Sequence, residues 1–211
     1  DYVTIQTAGN ATDFGDLTVA RRLLAACSDA TRGVFGGGYS YTNLVEYVTI
    51  QTTGNATDFG DLTVARSELA ACSDATRGVF GGGTTGSYTN VLDYVTIQTA
   101  GNATDFGDLT AAKRALAACS DATRGVFGGG YAVTNVLEYV PIQTAGNATD
   151  FGDLTVARGE LAACSDATRG VFGGGYSYTN LVEYVTIQTT GNATDFGDLT
   201  VARGQLAACS A

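Results

Sequence analysis

A chain of 211 residues with 21 acidic and 11 basic side chains has a net charge of −10, which argues against a nucleic-acid partner, because phosphates demand a basic face. Hydrophobic residues make up 45% of the chain, enough for a core, yet no apolar run approaches the roughly 20 residues that span a bilayer, so no membrane insertion is expected. The 29 glycines sit at fixed places among plentiful apolar residues, which excludes collagen-like and disordered classes.

The string Tyr-Val-Thr-Ile-Gln-Thr begins at Tyr2, Tyr47, Tyr94 and Tyr184, and once with proline at Tyr139, giving intervals of 45, 47, 45 and 45 residues. Cys27 to Arg66 recurs without a change as Cys164 to Arg203. A period of this length marks a propeller blade or a repeat array. The units run from about 1–23, 24–68, 69–115, 116–160 and 161–205, with 206–211 as a closing strand of one domain over 1–211. The chain has no methionine, so Asp1 is not a translational start and the chain is expected to be a processed or excised piece.

Within one unit the elements follow in order. Leu69 to Ser73 is short and apolar and predicts a first strand, closed by the polar turn Asp74-Ala75-Thr76. Arg77 to Phe80 predicts a second strand, ended by Gly81-Gly82-Gly83 and a polar loop from Thr84 to Asn90. Val91 to Thr99 is rich in β-branched residues and predicts a third strand. Gly101-Asn102 supplies a turn that tolerates positive φ, and Thr104 to Leu109 a fourth strand weakened by Gly107. The helical alternative fails, because no apolar stripe recurs at 3.6 residues. Four short antiparallel strands cannot bury both faces alone, so near-copies must stack around an axis.

The unit resembles a kelch repeat. The features are a glycine doublet ending strand two, an acid–tyrosine pair in strand three, an aromatic in strand four and a base before the next blade. They stand at Gly36-Gly37, Glu46-Tyr47, Phe59 and Arg66, then at Gly81-Gly82, Asp93-Tyr94, Phe106 and Lys113. They recur at Gly128-Gly129, Glu138-Tyr139, Phe151 and Arg158, and at Gly173-Gly174, Glu183-Tyr184, Phe196 and Arg203. Phe stands where the family usually has Trp, and the hairpin between strands three and four is longer. The wording DYVTIQTTGNATDFGDLTVAR followed by RGVFGGG is similar to repeats in structural and tail-associated proteins of marine bacteriophages. The resemblance implies an all-β, five-bladed kelch-like propeller of four-stranded antiparallel blades. The last blade is shared between the termini and lacks its second strand.

The repeats vary in two places. The loop from strand two to three reads YSYTN at Tyr39, TTGSYTN at Thr84, YAVTN at Tyr131 and YSYTN at Tyr176. The connection from strand four to one differs at Arg22, Glu68, Arg114 and Glu160. In an up-and-down blade both emerge on one face and the invariant turns on the other. That varied face is the candidate binding face, with Tyr39, Tyr41, Tyr88, Tyr131, Tyr176, Tyr178, Arg22, Glu68, Arg114 and Glu160 as contacts. Tyrosine offers a large amphipathic area at low entropic cost, and the bland alternative is solvated loop residues packing on a neighbouring blade.

Chemistry is sparse. The chain has no histidine, which removes His-based acid–base catalysis and the ligands a copper oxidase on a kelch-like propeller needs. One cysteine per unit, from Cys27 to Cys209, predicts small buried thiols rather than a metal ring. Asp58 and Asp61 recur in every unit, so they are expected to cap turns or pair with Arg77 or Arg66. The acids at Asp1, Glu46, Asp93, Glu138 and Glu183 are expected to meet an arginine. Asn10, Asn55, Asn102, Asn147 and Asn192 each begin Asn-Ala-Thr, a tight turn, or a glycan acceptor if the protein is secreted by a eukaryote. The expected function is a non-catalytic, multivalent recognition or structural module with no cofactor and no metal, extracellular or virion-associated. It would bind a cell-surface glycan or protein, and the alternative is a building block that self-associates through the incomplete blade.

Overall fold

A computed structural model describes all residues except 132, 133, 177, 178, 210 and 211, and its ordered elements are all strands. The first blade holds β1 (Ala25–Ser28), β2 (Arg32–Gly36), β3 (Leu44–Thr49) and β4 (Thr57–Asp61). The second holds β5 (Ala70–Ser73), β6 (Arg77–Gly81), β7 (Val91–Thr96) and β8 (Thr104–Asp108). The third holds β9 (Ala117–Ser120), β10 (Arg124–Gly128), β11 (Val136–Pro141) and β12 (Thr149–Asp153). The fourth holds β13 (Ala162–Ser165), β14 (Arg169–Gly173), β15 (Leu181–Thr186) and β16 (Thr194–Asp198). Each blade is an antiparallel sheet in sequence order, and together they form a propeller-like array. The first strands β1, β5, β9 and β13 lie innermost around a common channel, which Ala208 and Cys209 also line.

Alternation along the strands makes the interfaces between blades. Ala70 and Cys72 of β5, with Val79 of β6, face the next blade and join Phe127 in one buried cluster. Phe80 faces the preceding blade, where it joins Ala25, Cys27 and Val34. Two glycines make this close approach feasible. A Cβ on Gly78 would fall 2.4 Å from the Cys27 sulfur, and one on Gly107 (φ +140°) would fall 2.6 Å from a Gly146 carbonyl. The weak glycine in strand four is therefore required. A bulge at Leu92/Asp93 leaves Phe106 unpaired and free to turn into the core, where it is 2% exposed.

Strand three is shorter than the sequence reading. It stops at Thr96, because Thr99 N–H bonds back to the Thr96 carbonyl in a turn. Leu69 lies outside strand one. Residues 1–22 do not form the third and fourth strands expected of them, since only the bridge Tyr2↔Thr12 is made. Residues 206–209 of the expected closing strand are also irregular. Both segments lack the second strand that would pair with them.

The terminal segments nonetheless sit as neighbouring blades do. Gly54 and Ala56 N–H donate to Phe14 and Asp16 carbonyls, as Gly101 and Ala103 donate to Phe59 and Asp61. Gln205 N–H donates to the Glu160 carbonyl, as Glu160 does to Ala115 and Ala115 to Glu68.

Candidate functional site

The invariant turns close one end of the array. Asp74 Oδ1 accepts from the N–H groups of Thr76 and Arg77, and its Oδ2 accepts from Gln143 of the next blade at 2.6 Å. Gln98 with Asp29 and Gln188 with Asp121 repeat the link. Burial pushes the Asp74 carboxyl up, but the hydrogen bonds from Gln143, Thr76 and Arg77 outweigh it and hold the group below its ordinary range. Asn55, Asn102, Asn147 and Asn192 are exposed in the same repeated way, each accepting an N–H from the preceding blade, for example Asp61 N–H to Asn102 at 3.1 Å. These turns bridge blades, which accounts for their constancy.

The varied connections meet at the other end. Tyr39, Thr84, Tyr131 and Tyr176 N–H groups donate to the carbonyls of Arg22, Ser67, Arg114 and Gly159 at 2.7 to 2.8 Å. Both varied segments thus share one face, as the sequence predicts. Tyr39, Tyr41, Tyr88 and Tyr176 are 55%, 46%, 43% and 51% exposed, and Tyr131 is half-buried. Tyr178 lies outside the described residues. Thr84 takes the place of a loop tyrosine and is buried, while the two-residue-longer loop returns Tyr88 to the surface through the bridge Thr84↔Tyr88.

The charges gather around the axis. Leu24, Leu69, Leu116, Leu161 and Leu206 line a cavity of about 480 Å³, whose rim includes Glu68, Arg114 and Glu160. The rim turns through left-handed backbone at Leu23, Glu68, Ala115, Glu160 and Gln205, with φ of 60°, 57°, 53°, 55° and 55°. None of the five is glycine, a costly choice that accompanies a run of four N–H to carbonyl bonds linking successive rim residues from Leu23 to Gln205. Arg114 Nη1 pairs with the Glu68 carboxylate across blades. Its guanidinium lies 5.4 Å from the Tyr88 ring centre and 5.1 Å from that of Tyr131. The Tyr88 hydroxyl, then Glu68, raises the Arg114 pKa. Burial, then the Glu160 charge and hydrogen bond, raises that of Tyr131. The Tyr131 and Tyr176 rings meet edge to face at 5.9 Å. Arg22 stands apart, 4.2 Å over Tyr39. The apolar floor and the left-handed rim escaped the sequence reading. Leu69 repeats in every unit and looked like a plain strand residue.

Two sequence expectations need correction or refinement. Arg66 does not pair with Asp58 or Asp61. It pairs with Asp93 of the next blade at 2.7 Å, because the strand-four connection swings its side chain across the interface. Arg77 instead lies 4.1 Å over Tyr94 and donates to the Ile142 carbonyl. Four of the five strand-three acids meet bases, Arg21–Glu46, Lys113–Glu138 and Arg158–Glu183 repeating the pair, with a lysine in place of arginine at Lys113, whereas Asp1 is exposed and makes no ion pair among the described residues. The thiols of Cys27, Cys72 and Cys119 are buried against the glycine of the next blade rather than aimed into the channel. Cys164 is half-buried and Cys209 exposed. Burial pushes the Cys27 thiol up to about 12.

No protein-family model matches the chain. No curated protein matches it. Among solved structures, that of YjhT is similar with a TM-score of 0.73, covering 89% of this chain and 68% of that one at 9% identity. It is one of 439 solved chains that match, so the likeness concerns fold and not activity.

Proposed function

We propose that this protein is a non-catalytic recognition module that binds a cell-surface glycan or protein through its varied face. The carrying observation is the arrangement of that face, where each complete blade places a loop tyrosine, exposed at Tyr39, Tyr88 and Tyr176 and half-buried at Tyr131, around an apolar axial mouth rimmed by Glu68, Arg114 and Glu160. Several similar aromatic contacts about one axis suit binding by avidity. The array is read as a five-bladed ring whose fifth place both termini share, which their neighbour-like contacts support. The kelch kinship, the bacteriophage tail setting and the extracellular or virion location rest on the repeat motifs alone. The test is a glycan-array and whole-cell binding screen of the protein and of a Tyr39→Ser/Tyr131→Ser/Tyr176→Ser variant. Loss of binding in the folded variant is expected, and undiminished binding would remove the varied face from the reading.

A second reading, self-assembly through the incomplete side, is favoured by exposed apolar groups there. Phe196, Val201 and Ile5 are 57%, 64% and 60% exposed. Sedimentation across concentration separates the two, since growth into larger species belongs to assembly and a constant mass to the recognition module.

A further inference from the structure

Each second strand packs in a fixed way. Its first glycine covers a cysteine of the preceding blade: a Cβ on Gly78, Gly125 or Gly170 would lie 2.4, 2.4 or 2.3 Å from the sulfur of Cys27, Cys72 or Cys119. Its phenylalanine covers the closing glycine of the preceding second strand. A Cβ on Gly36, Gly81 or Gly128 would lie 2.8, 2.8 or 2.9 Å from the ring of Phe80, Phe127 or Phe172. Its backbone pairs with the first strand on one side and the third on the other, as in Cys72↔Val79 and Val79↔Tyr94.

Beyond the fourth blade both receiving surfaces are uncovered. A Cβ on Gly173 would meet only a Val182 methyl, at 3.7 Å, and Cys164 is only half-buried. The facing side of the first blade is open too. Ile50 is 38% exposed where Ile97, Ile142 and Ile187 are at 0%, and Phe35 is half-buried where Phe80, Phe127 and Phe172 are at 0%. A cavity of about 500 Å³ lies there, lined by Tyr2, Phe14, Leu24, Phe35, Val48 and Ile50 among others. Ala208 and Cys209 border a neighbouring cavity with Phe35 and Ile50, so two backbone segments flank the opening.

We propose that this opening is a docking slot for an extended strand of sequence Arg-Gly-Val-Phe-Gly. The occupant is specified by continuity with interfaces that the molecule forms three times over. The glycine after arginine is the residue that fits over Cys164. The phenylalanine is the residue that fits on Gly173. Backbone pairing on one side with Ala207 to Cys209, and on the other with Tyr2 to Thr4, would complete a four-stranded sheet and add affinity by strand addition. The inference rests on the open side noted for the assembly reading and is independent of the loop-face reading.

The test is fluorescence anisotropy of a labelled Ser-Asp-Ala-Thr-Arg-Gly-Val-Phe-Gly-Gly-Gly peptide titrated with the whole protein. Saturable binding of one peptide per chain is expected. Replacing the peptide phenylalanine by alanine is expected to weaken it at least about tenfold, because the ring fills the central contact. Gly173→Ala should weaken it comparably, since its Cβ occupies the place of the ring, while the variant folds normally with room for that methyl. Gly146→Ala, whose Cβ meets nothing within 4 Å, is the control and should leave binding unchanged. Absence of saturable binding, or equal binding by the alanine peptide or by Gly173→Ala, overturns the proposal. Sedimentation of the protein alone reads the assembly hypothesis separately.

Discussion

Arg66 and Arg203 end the two copies of an identical 40-residue segment, yet only one should matter to stability. Arg66 and Asp93 are both 0% exposed at 2.7 Å, and Arg66 Nη2 also donates to the Phe80 carbonyl at 3.2 Å. Arg66→Met keeps most of the buried stem but leaves Asp93 with the Thr63 hydroxyl as its remaining partner. Breaking one side of a buried pair costs about 3–5 kcal/mol, because an uncompensated charge stays in the core. For a protein of this size that corresponds to a fall of roughly 6–20 °C in Tm. Arg203 is exposed, so Arg203→Met should change stability by no more than about 0.5 kcal/mol. Arg66→Met/Asp93→Leu should recover most of the loss, since no charge is then stranded. Urea and thermal unfolding followed by circular dichroism provide the assay. Equal midpoints for the two single variants, or a double variant no better than Arg66→Met, would refute the reasoning.

Other outcomes follow from the same interfaces. Gly78→Ala should destabilise by about 1–3 kcal/mol through overpacking against Cys27, whereas Gly33→Ala, whose Cβ meets Val48 at an ordinary 3.5 Å, should cost far less in the same unfolding assay. Under native conditions a thiol reagent should modify Cys209 quickly, Cys164 more slowly and Cys27, Cys72 and Cys119 only on unfolding, as mass spectrometry of time points would show. Cys27 is pushed up to about 12 in the fold, above its unfolded value near 9, so its contribution is complete below about pH 9 and is lost as pH rises toward 12. Denaturation midpoints should fall over that window, and less so in a Cys27→Ala variant. Asp29, Asp74 and Asp121 have lowered pKa values, burial opposing and hydrogen bonds from Gln98, Gln143 and Gln188 with the turn N–H groups prevailing. Their contribution is present above about pH 4 and lost on further acidification, and Gln143→Ala should shrink that acid dependence in a pH series of unfolding curves.

Much of the fold was legible in the residues. Period, turn chemistry and β-branched runs located the four strands of each complete blade to within a few positions, but not the terminal segments, where the expected strands are not formed. The varied loops marked one face, and the structure places Glu68, Arg114, Tyr131 and Glu160 together there. Less legible was anything that depends on partners about 46 residues away. The Arg114–Glu68 pair spans two units, and four of the five left-handed rim residues bond through their N–H to the preceding copy.

Sequence alone determined the blade, because its strand and turn preferences act over a few residues and are the same in every copy. Environment was decided only by tertiary structure. Phe59 and Phe196 occupy the same place in identical segments, yet one is 3% exposed and the other 57%. Arg66 is buried and Arg203 exposed for the same reason. A side chain in a stacked blade is covered by its neighbour, so burial, pairing and strain follow from which copy lies alongside.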